Sequence, residues 1–192
     1  MQANDREILR QVRDGDVRQY AVLVDRYKDR ALTLALRVVR NREEAEELVQ
    51  DAFVRAYHNL RSFRGDSAFR TWFYRILYNV CMSQIRQRAR REPVLRLEDQ
   101  PAMSESIPDR KMSSALEQLE QKEIADILSG ELLKLPDKYR TALTLFYTEQ
   151  MSYEEMSEIT GLSVGTVKTH LFRGRNLLRE KLVTRLQEEV LL

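Results

Sequence analysis

The chain has 192 residues, with 32 basic and 30 acidic side chains, a formal net charge of +2 and a single cysteine. This length fits one domain or two small ones, and the lone Cys81 excludes an intramolecular disulfide and fits a reducing compartment. The charged start, MQANDREILRQ, and the lack of a bilayer-length apolar run predict a soluble cytoplasmic protein without a signal peptide.

Composition and charge patterning indicate the fold class. Glycine and proline are scarce, at 6 and 4 residues, and apolar residues recur at helical spacing almost throughout, which predicts an all-α fold. Acidic residues crowd 43–51 and 92–126, whereas basic residues crowd 61–91 and 168–185. Such segregation indicates separate surfaces for nucleic acid and for a protein partner.

Four helices are predicted in the first half of the chain. A short helix starts at Asn4 or Asp5 and reaches about residue 14. A second runs from an N-cap at Asp16 to about residue 40, and a third, over 42–59, is capped by Asn41. After a loop at 60–67, Ser67 is expected to cap a fourth helix over 68–90.

The third helix carries acidic and polar side chains opposite its apolar residues. These are Glu43, Glu44, Glu46, Glu47, Gln50 and Asp51. Two interpretations stay open for this acidic face. It is either a protein-binding surface or a solvated face whose first-turn carboxylates suit the helix dipole.

The fourth helix interleaves aromatic residues with arginines, a pattern that suits single-stranded DNA because unpaired bases stack while arginines track phosphates. The aromatic residues are Phe69, Trp72, Phe73, Tyr74 and Tyr78, and the arginines are Arg70, Arg75, Arg86, Arg88, Arg90 and Arg91. For Trp72, Phe73, Ile76 and Leu77 we favour the alternative of core packing. For the basic end at 86–91 we favour a nucleic-acid role over a solvated tail.

Residues 92–111 break the helical pattern. This stretch holds three of the four prolines and has no apolar stripe, which predicts an acidic flexible linker between two domains, 1–91 and 112–192. A helix is expected over 112–133. Another begins at Pro136, a residue tolerated in a first helical turn, and would pack on the segment that follows.

Residues 151–186 have the pattern of two helices joined by a tight turn. Ser152 and Glu155 have capping-box spacing, Gly161 suits a left-handed helix end, and Ser163 can cap the second helix. The second helix has a basic, polar face, as in a helix-turn-helix whose second helix enters the major groove. The predicted motif comprises Tyr153, Glu154, Glu155, Met156, Ser157, Glu158, Ile159, Thr160, Gly161, Leu162, Ser163, Val164, Gly165, Thr166, Val167, Lys168, Thr169, His170, Leu171 and Phe172.

Base and phosphate contacts are expected on the exposed face of that second helix, because its Lys, Arg and Thr side chains are suited to both. The alternative is an ordinary helical hairpin with a solvated basic face. Phe172 on this face would contact a thymine methyl group or pack on a neighbouring helix. The helix is expected to fray after residue 186.

No enzymatic constellation emerges from the sequence. His58, His170 and Cys81 lack metal-ligand spacing, and no glycine-rich phosphate loop follows a strand. The sequence therefore predicts no catalytic residue, metal or cofactor.

Three motifs together resemble an extracytoplasmic-function (ECF, group 4) sigma factor of bacterial RNA polymerase, within the sigma-70 family. EEAEELVQDAFVRAYHNL at 43–60 looks like region 2.2, and SFRGDSAFRTWFYRILYNV at 62–80 looks like regions 2.3 and 2.4. KLPDKYRTALTLFYTEQMSYEEMSEITGLSVGTVKTHLFRGRNLLREKL at 134–182 looks like region 4. The match runs from about residue 12 to residue 182, apart from the linker, and the order of the motifs makes it specific.

The resemblance implies a role for each part of the chain. Domain 1–91 would be sigma-2, and its third helix would bind the β′ clamp helices of core polymerase through Glu46, Glu47, Gln50, Asp51 and Arg55. The loop and fourth helix would recognise and melt the −10 element through Arg61, Phe63, Arg64, Ser67, Phe69, Trp72, Arg75, Asn79, Ser83 and Arg86. Many relatives carry Asn or Asp where this chain has Ser83.

Domain 112–192 would be sigma-4, which binds the β flap and reads the −35 element. The residues implied are Lys168, Thr169, Phe172 and Arg173 on bases, with Arg175 and Arg179 on phosphates. The linker would thread the polymerase channel, and an anti-sigma factor, often membrane-bound, would hold the protein inactive in a stress response. The competing hypotheses are a stand-alone helix-turn-helix regulator of duplex DNA and a pure interaction module.

Overall fold

A computed structural model describes residues 3–91 and 115–190, with side chains at 5–90, 123–185 and 187. Every element in these ranges is helical, which confirms the predicted all-α class. The helices are α1 (Ala3–Arg13), α2 (Arg18–Val39), α3 (Arg42–His58), a 3-10 turn (Leu60–Ser62), α4 (Phe69–Arg91), α5 (Ala115–Leu133), α6 (Asp137–Leu143), a π-helical segment (Thr144–Thr148), α7 (Tyr153–Thr160) and α8 (Val164–Val190). The predicted linker at 92–111 lies outside the described residues.

Helices α1–α4 form what we term the N-terminal bundle. Apolar residues at three- and four-residue spacing on each helix meet in one core, which includes Leu23, Leu34, Phe53 and Phe73. The rings of Phe53 and Phe73 stack at 4.3 Å between centroids and join α3 to α4. The core of this bundle therefore fixes the positions of the two helices whose outer faces are candidate binding surfaces.

Helix ends in this bundle agree with the sequence in some places and differ in others. Asn41 caps α3 by accepting a hydrogen bond from the Glu44 amide, as predicted. The predicted cap at Asp16 is wrong, because Val17 occupies the N-cap position of α2 and no side chain caps this end. Helix α4 begins at Phe69, one residue later than predicted.

Helices α5–α8 form the C-terminal bundle, whose core contains Met151, Met156, Ile159, Val167 and Leu171. The predicted helix from Pro136 is interrupted, since α6 ends at Leu143 and passes into the π-helical segment. Helix α8 continues to Val190, beyond the predicted fraying point.

Gly174 is where α8 comes closest to α6. A Cβ atom at this position would lie 3.2 Å from Leu143 Cδ1 and 3.2 Å from Tyr139 Cβ. Only a residue without a side chain lets the two helices approach this closely. The angle at which α8 leaves the bundle therefore depends on this glycine.

The two bundles pack directly on each other, α4 against α7 and α2 against α6. Arg140 of α6 is fully buried at this junction. Its guanidinium donates to the carbonyls of Arg37 and Val38 at the end of α2, and to those of Leu133 and Leu135 in its own bundle. A cation thus satisfies the last carbonyls of a helix in the other bundle, where the helix dipole is negative.

Candidate nucleic-acid interface

Helices α7 and α8 form a helix-turn-helix with every predicted local signal present. The Ser152 side chain accepts from the Glu155 amide, and the Glu155 carboxylate accepts from the Ser152 amide, which completes the capping box. Gly161 ends α7 with φ of +73°, a conformation that favours glycine. Ser163 accepts from the Thr166 amide at 3.2 Å and so caps α8.

The two sides of α8 differ in burial. Val167, Leu171 and Gly174 are buried against the bundle. The predicted reading residues are all exposed on the other side, namely Lys168, Thr169, Phe172, Arg173, Arg175 and Arg179. Three of the four arginine and lysine side chains among them lie within the first 12 residues of the helix. The positive face is therefore at the end of a second helix that enters the major groove in helix-turn-helix proteins.

Phe172 is 61% exposed. Of its two interpretations, packing on a neighbouring helix does not occur within the described parts of the chain. An exposed aromatic ring between cationic side chains is unusual on a solvated surface, and it offers apolar contact to a thymine methyl group.

Lys138 and His170 extend this surface toward α6. Lys138 is exposed, and its ammonium lies 5.0 Å from the Tyr139 ring centroid. His170 packs edge-on against Tyr139. Burial lowers the pKa of His170 from its usual 6.5, and the charges of Lys138 and Arg173 lower it further, which favours the neutral imidazole.

The predicted −10 residues divide into an exposed set and a buried pair. Arg61, Arg64, Arg75, Asn79, Ser83 and Arg86 are exposed, and Ser67 and Trp72 are partly buried. Asn79, Ser83 and Arg86 share one side of α4 at helical spacing, and Arg75 begins that row. Eight of the ten predicted residues thus lie at least partly on the surface of the loop and of α4.

Phe63 and Phe69 are placed in the core, not on that surface. Phe69 is fully buried, and its ring lies 5.8 Å from Trp72 and 6.2 Å from Phe63. Arg13 donates to the carbonyls of Leu60 and Phe63 and thereby holds the loop onto α1. The prediction that these two phenylalanines contact DNA directly is therefore corrected. Both side chains are buried, and their rings pack beneath the loop.

The acidic face of α3 points away from both bundles' cores. Glu46, Glu47, Gln50 and Arg55 are exposed and Asp51 is half-buried. Arg55 pairs with Asp51 through two contacts of 2.9 Å, and Arg42 pairs with Glu46 at 2.9 Å. Pairs of this exposed kind contribute about 0.5 kcal/mol or less, so the face is available to a partner at little cost.

Sequence reasoning missed several residues that organise these surfaces. Lys138 had a sequence signal, since a lysine in the first turn of a helix that packs on a reading helix can meet the phosphate backbone. Gly174 also had one, because a glycine inside a helical pattern indicates close approach. Glu149 and Arg140 are charged residues that are fully buried, and their burial depends on contacts between distant segments.

Other chemistry is limited in the described residues. Cys81 is buried, and burial raises the pKa of its thiol to about 12, in keeping with the predicted core role. No group of three or more His, Cys, Asp or Glu side chains in the described ranges is placed to bind a metal ion. Within those ranges, no helix has the length and apolarity needed to cross a bilayer.

Fold and surfaces together define an all-α protein with two candidate DNA-binding faces and one acidic face that is a candidate for protein binding. Family models agree with this division: Sigma-70 region 2 matches residues 23–91, and Sigma-70, region 4 matches residues 128–178.

Relatives of known function match nearly the whole chain. The ECF RNA polymerase sigma factor SigW of Bacillus subtilis is 38% identical over 91% of this chain and 94% of its own length. The ECF RNA polymerase sigma-E factor of Escherichia coli K12 is 35% identical, covering 94% of this chain and 95% of its own. The RNA polymerase sigma-H factor of Pseudomonas aeruginosa is 34% identical over 97% and 98%.

Solved structures show the same relationship. CnrH in complex with the cytosolic domain of CnrY aligns over 94% of this chain and 97% of its own, with 26% identity and a TM-score of 0.64. The sigma factor RpoE in complex with the anti-sigma factor NepR from Bartonella quintana aligns over 87% and 96%, with 28% identity and a TM-score of 0.65.

The chain belongs to the ECF family of RNA polymerase sigma factors, as its resemblance to that family implied. It is an alternative sigma factor. The competing interpretation as a stand-alone helix-turn-helix regulator leaves residues 23–91 without a role, whereas the sigma-70 region 2 model accounts for them.

Proposed function

We propose that this sigma factor binds core RNA polymerase through its N-terminal bundle and reads the −10 and −35 elements with α4 and α8. In this proposal residues 1–91 are the sigma-2 domain, 92–111 a linker and 112–192 the sigma-4 domain. The observation that carries it is the exposure of both reading faces on helices whose other sides are buried. The protein acts by recruitment in the cytoplasm and performs no catalysis itself.

The −35 element is assigned to the exposed side of α8. Lys168 and Arg173 lie five residues apart and can reach guanine edges or phosphates, while Thr169 and Phe172 lie between them. The Thr169 hydroxyl donates to the Gly165 carbonyl at 2.9 Å. Arg175 and Arg179 lie further along the helix and are assigned to phosphates.

The −10 element is assigned to the exposed loop and the outer side of α4. Arg61 and Arg64 flank the loop, and Arg75 and Arg86 lie along the helix, so cations border the path of a separated strand. Asn79 and Ser83 lie between those arginines and can hydrogen-bond to base edges. Trp72 is half-buried at the junction of loop and helix, where its ring can border an unstacked base.

Polymerase contact is assigned to the acidic face of α3, with the β′ clamp helices as its partner, and the sigma-4 domain is assigned to the β flap. The support is the charge of Glu46 and Glu47 and the exposure of Gln50.

We further propose control by an anti-sigma factor, membrane-bound or soluble. The support is that the solved relative RpoE is in complex with the anti-sigma factor NepR, and that CnrH is in complex with the cytosolic domain of CnrY.

In vitro transcription with core RNA polymerase on a pool of promoter fragments tests the proposal. Discrete start sites that need both proteins are expected. Lys168→Ala with Arg173→Ala should reduce transcription at least tenfold, since each such contact contributes about 1–3 kcal/mol, and should leave polymerase binding unchanged. Arg10→Ala with Lys28→Ala removes two exposed charges elsewhere and is the matched control. Specific duplex binding by the free chain without any polymerase-dependent transcript would contradict the proposal.

A further inference from the structure

One buried carboxylate joins the two bundles. Glu149 lies in the loop before α7 and is fully buried. It belongs to the C-terminal bundle, but the side chains that contact it belong to the N-terminal bundle. Its Oε2 accepts a hydrogen bond of 2.6 Å from the Tyr74 hydroxyl of α4. Its Oε1 has no hydrogen-bond partner in the part of the chain that the structure describes.

Cations of the N-terminal bundle surround this carboxylate. Arg70 of α4 donates to the Glu149 carbonyl at 3.1 Å, and Arg37 of α2 donates to the Thr148 hydroxyl at 2.7 Å. The charges of Arg30, Arg37 and Arg70 all act on the Glu149 carboxylate. The loop thus inserts an anion into a positively charged recess between α2 and α4.

The backbone that presents Glu149 is irregular on both sides. The π-helical segment precedes it, and Gln150, which follows it, has φ of +51°. A non-glycine residue in the left-handed region and a π-helical turn both cost free energy, and both occur at functional positions. Here they direct the Glu149 side chain into the other bundle.

A second carboxylate lies beside the first. Glu155, the capping-box residue of α7, also accepts from the Thr71 hydroxyl at 2.9 Å and from the Arg70 guanidinium at 3.3 Å. The first turn of the helix-turn-helix is therefore bonded to the helix that carries the −10 face.

We propose that Glu149 and Glu155, with Tyr74, Thr71 and Arg70, form a latch that holds the free chain closed and must open before a promoter is read. The proposal rests on the function assigned above, in which α4 and α8 read separate promoter elements. It adds a conformational step that the polymerase must drive.

The closed arrangement is too short to span a promoter. Helix α7 packs on α4, and only three residues separate α7 from α8, which packs on α7 in turn. With about 10 Å between the axes of packed helices, the axes of the two reading helices lie within about 20 Å of each other. The −35 and −10 elements are about 25 base pairs apart by their names, or about 85 Å at 3.4 Å per pair. Residues 92–114 have a contour length of about 80 Å, enough to permit separation.

The acidic face of α3 remains accessible while the latch is closed. Its residues Glu46, Glu47 and Gln50 are exposed while the two bundles are packed together. The polymerase can therefore bind the closed chain through α3, and opening follows binding. In this order of events the chain first binds polymerase, the two bundles then separate, and the promoter elements are recognised last.

Tyr74→Phe tests the latch with a small change. In the closed state it removes the one hydrogen bond that the Glu149 carboxylate accepts from the described residues, whereas in an open state water solvates both groups. The closed-to-open ratio should fall at least tenfold, because a buried carboxylate would lose its partner. Tyr27→Phe is the matched control. The Tyr27 hydroxyl also donates to a carboxylate at 2.6 Å, but that carboxylate, Asp5, is in the same bundle.

Pulsed electron paramagnetic resonance between spin labels reports the state directly. The two labels are attached at Lys28→Cys and Glu180→Cys, which are exposed positions in different bundles. The native Cys81 is buried and stays unlabelled. The wild-type chain and Tyr27→Phe should give one short distance. Tyr74→Phe should add a long component, and core polymerase should produce the long component in all three.

Three results would overturn the latch. They are a broad, long distribution in the free wild-type chain, no change in Tyr74→Phe, or equal opening by Tyr27→Phe. These distances are independent of transcription. If the distances contradict the latch while polymerase-dependent start sites are still observed, this inference alone is refuted. If the distances agree with the latch but no transcript is produced, the proposed function is refuted.

Discussion

Replacement by alanine should have opposite effects on stability at two glycines of α8, Gly165 and Gly174. At Gly165, a new Cβ would meet only the Ser163 Oγ atom at 3.8 Å, an ordinary contact. Alanine is favoured over glycine in a helix by about 1 kcal/mol, so Gly165→Ala should stabilise the C-terminal bundle by about 0.5–1 kcal/mol. The gain is at the lower end because Gly165 is only the second residue of the helix.

At Gly174 the same propensity gain is opposed by a clash. The new Cβ would lie 3.2 Å from Tyr139 Cβ, an atom that moves only if α6 moves. Overpacking of this kind costs about 1–3 kcal/mol. Gly174→Ala should therefore be destabilising by up to about 2 kcal/mol, despite the better helix propensity.

Urea unfolding separates the two bundles in this comparison. The single tryptophan, Trp72, reports on the N-terminal bundle by fluorescence, whereas circular dichroism reports on all helices. The urea midpoint measured by far-ultraviolet circular dichroism should rise for Gly165→Ala and fall for Gly174→Ala. The midpoint measured by tryptophan fluorescence should change less. If Gly174→Ala proved as stable as Gly165→Ala, the close approach of α8 to α6 would be refuted.

Four further outcomes follow from the structure. Phe172→Ala should weaken preference for thymine in the −35 element by about 1 kcal/mol in competition binding to promoter complexes, because about one buried methyl contact is lost, and should leave thermal stability unchanged. Glu47→Lys should weaken core polymerase association in a pull-down titration, while Glu180→Lys, an exposed control, should not. Asn41→Ala should lower the stability of the N-terminal bundle by about 1 kcal/mol through loss of its cap, measured by tryptophan fluorescence. Burial raises the pKa of Glu149 above its usual 4.5, despite the opposing hydrogen bond from Tyr74 and the charges of Arg30, Arg70 and Arg37. Protonation of Glu149 therefore favours closure further. This proton-linked contribution adds to the contacts of the latch, is fully present below pH 4.5 and is lost as the pH rises through the raised pKa. Spin-label distances should shift toward closed on acidification from pH 7 to pH 5, and a pH response retained in Glu149→Gln would assign it to another group.

Local signals in the sequence were sufficient wherever the structure depends on neighbours in the chain. The capping box at Ser152 and Glu155, the left-handed Gly161 and the Asn41 cap each involve residues no more than four positions apart. Periodicity likewise identified the helices and the buried side of α8. These features are confirmed because backbone hydrogen bonding within one or two turns decides them.

Sequence reasoning was less successful where both faces of a helix carry similar residues. Helix α4 has aromatic side chains on several sides, so its pattern could not distinguish Phe69, which is core, from Trp72, which is half-buried. The π-helical segment has no composition signal of its own. Glu149 is a carboxylate next to a predicted turn, and only the packing of α4 against α7 makes it a buried group.

Arg140 has a further consequence for α2. The last carbonyls of this helix are completed by a side chain that lies 102 and 103 positions later in the chain. When the bundles separate, α2 loses that donor at its carboxyl end, only a few residues before the Asn41 cap of α3. Separation should therefore loosen the junction that sets the orientation of α3, and amide hydrogen exchange around residues 36–40 should rise with opening. By reciprocity, a ligand of α3 that prefers the loosened junction favours separation by the same free energy.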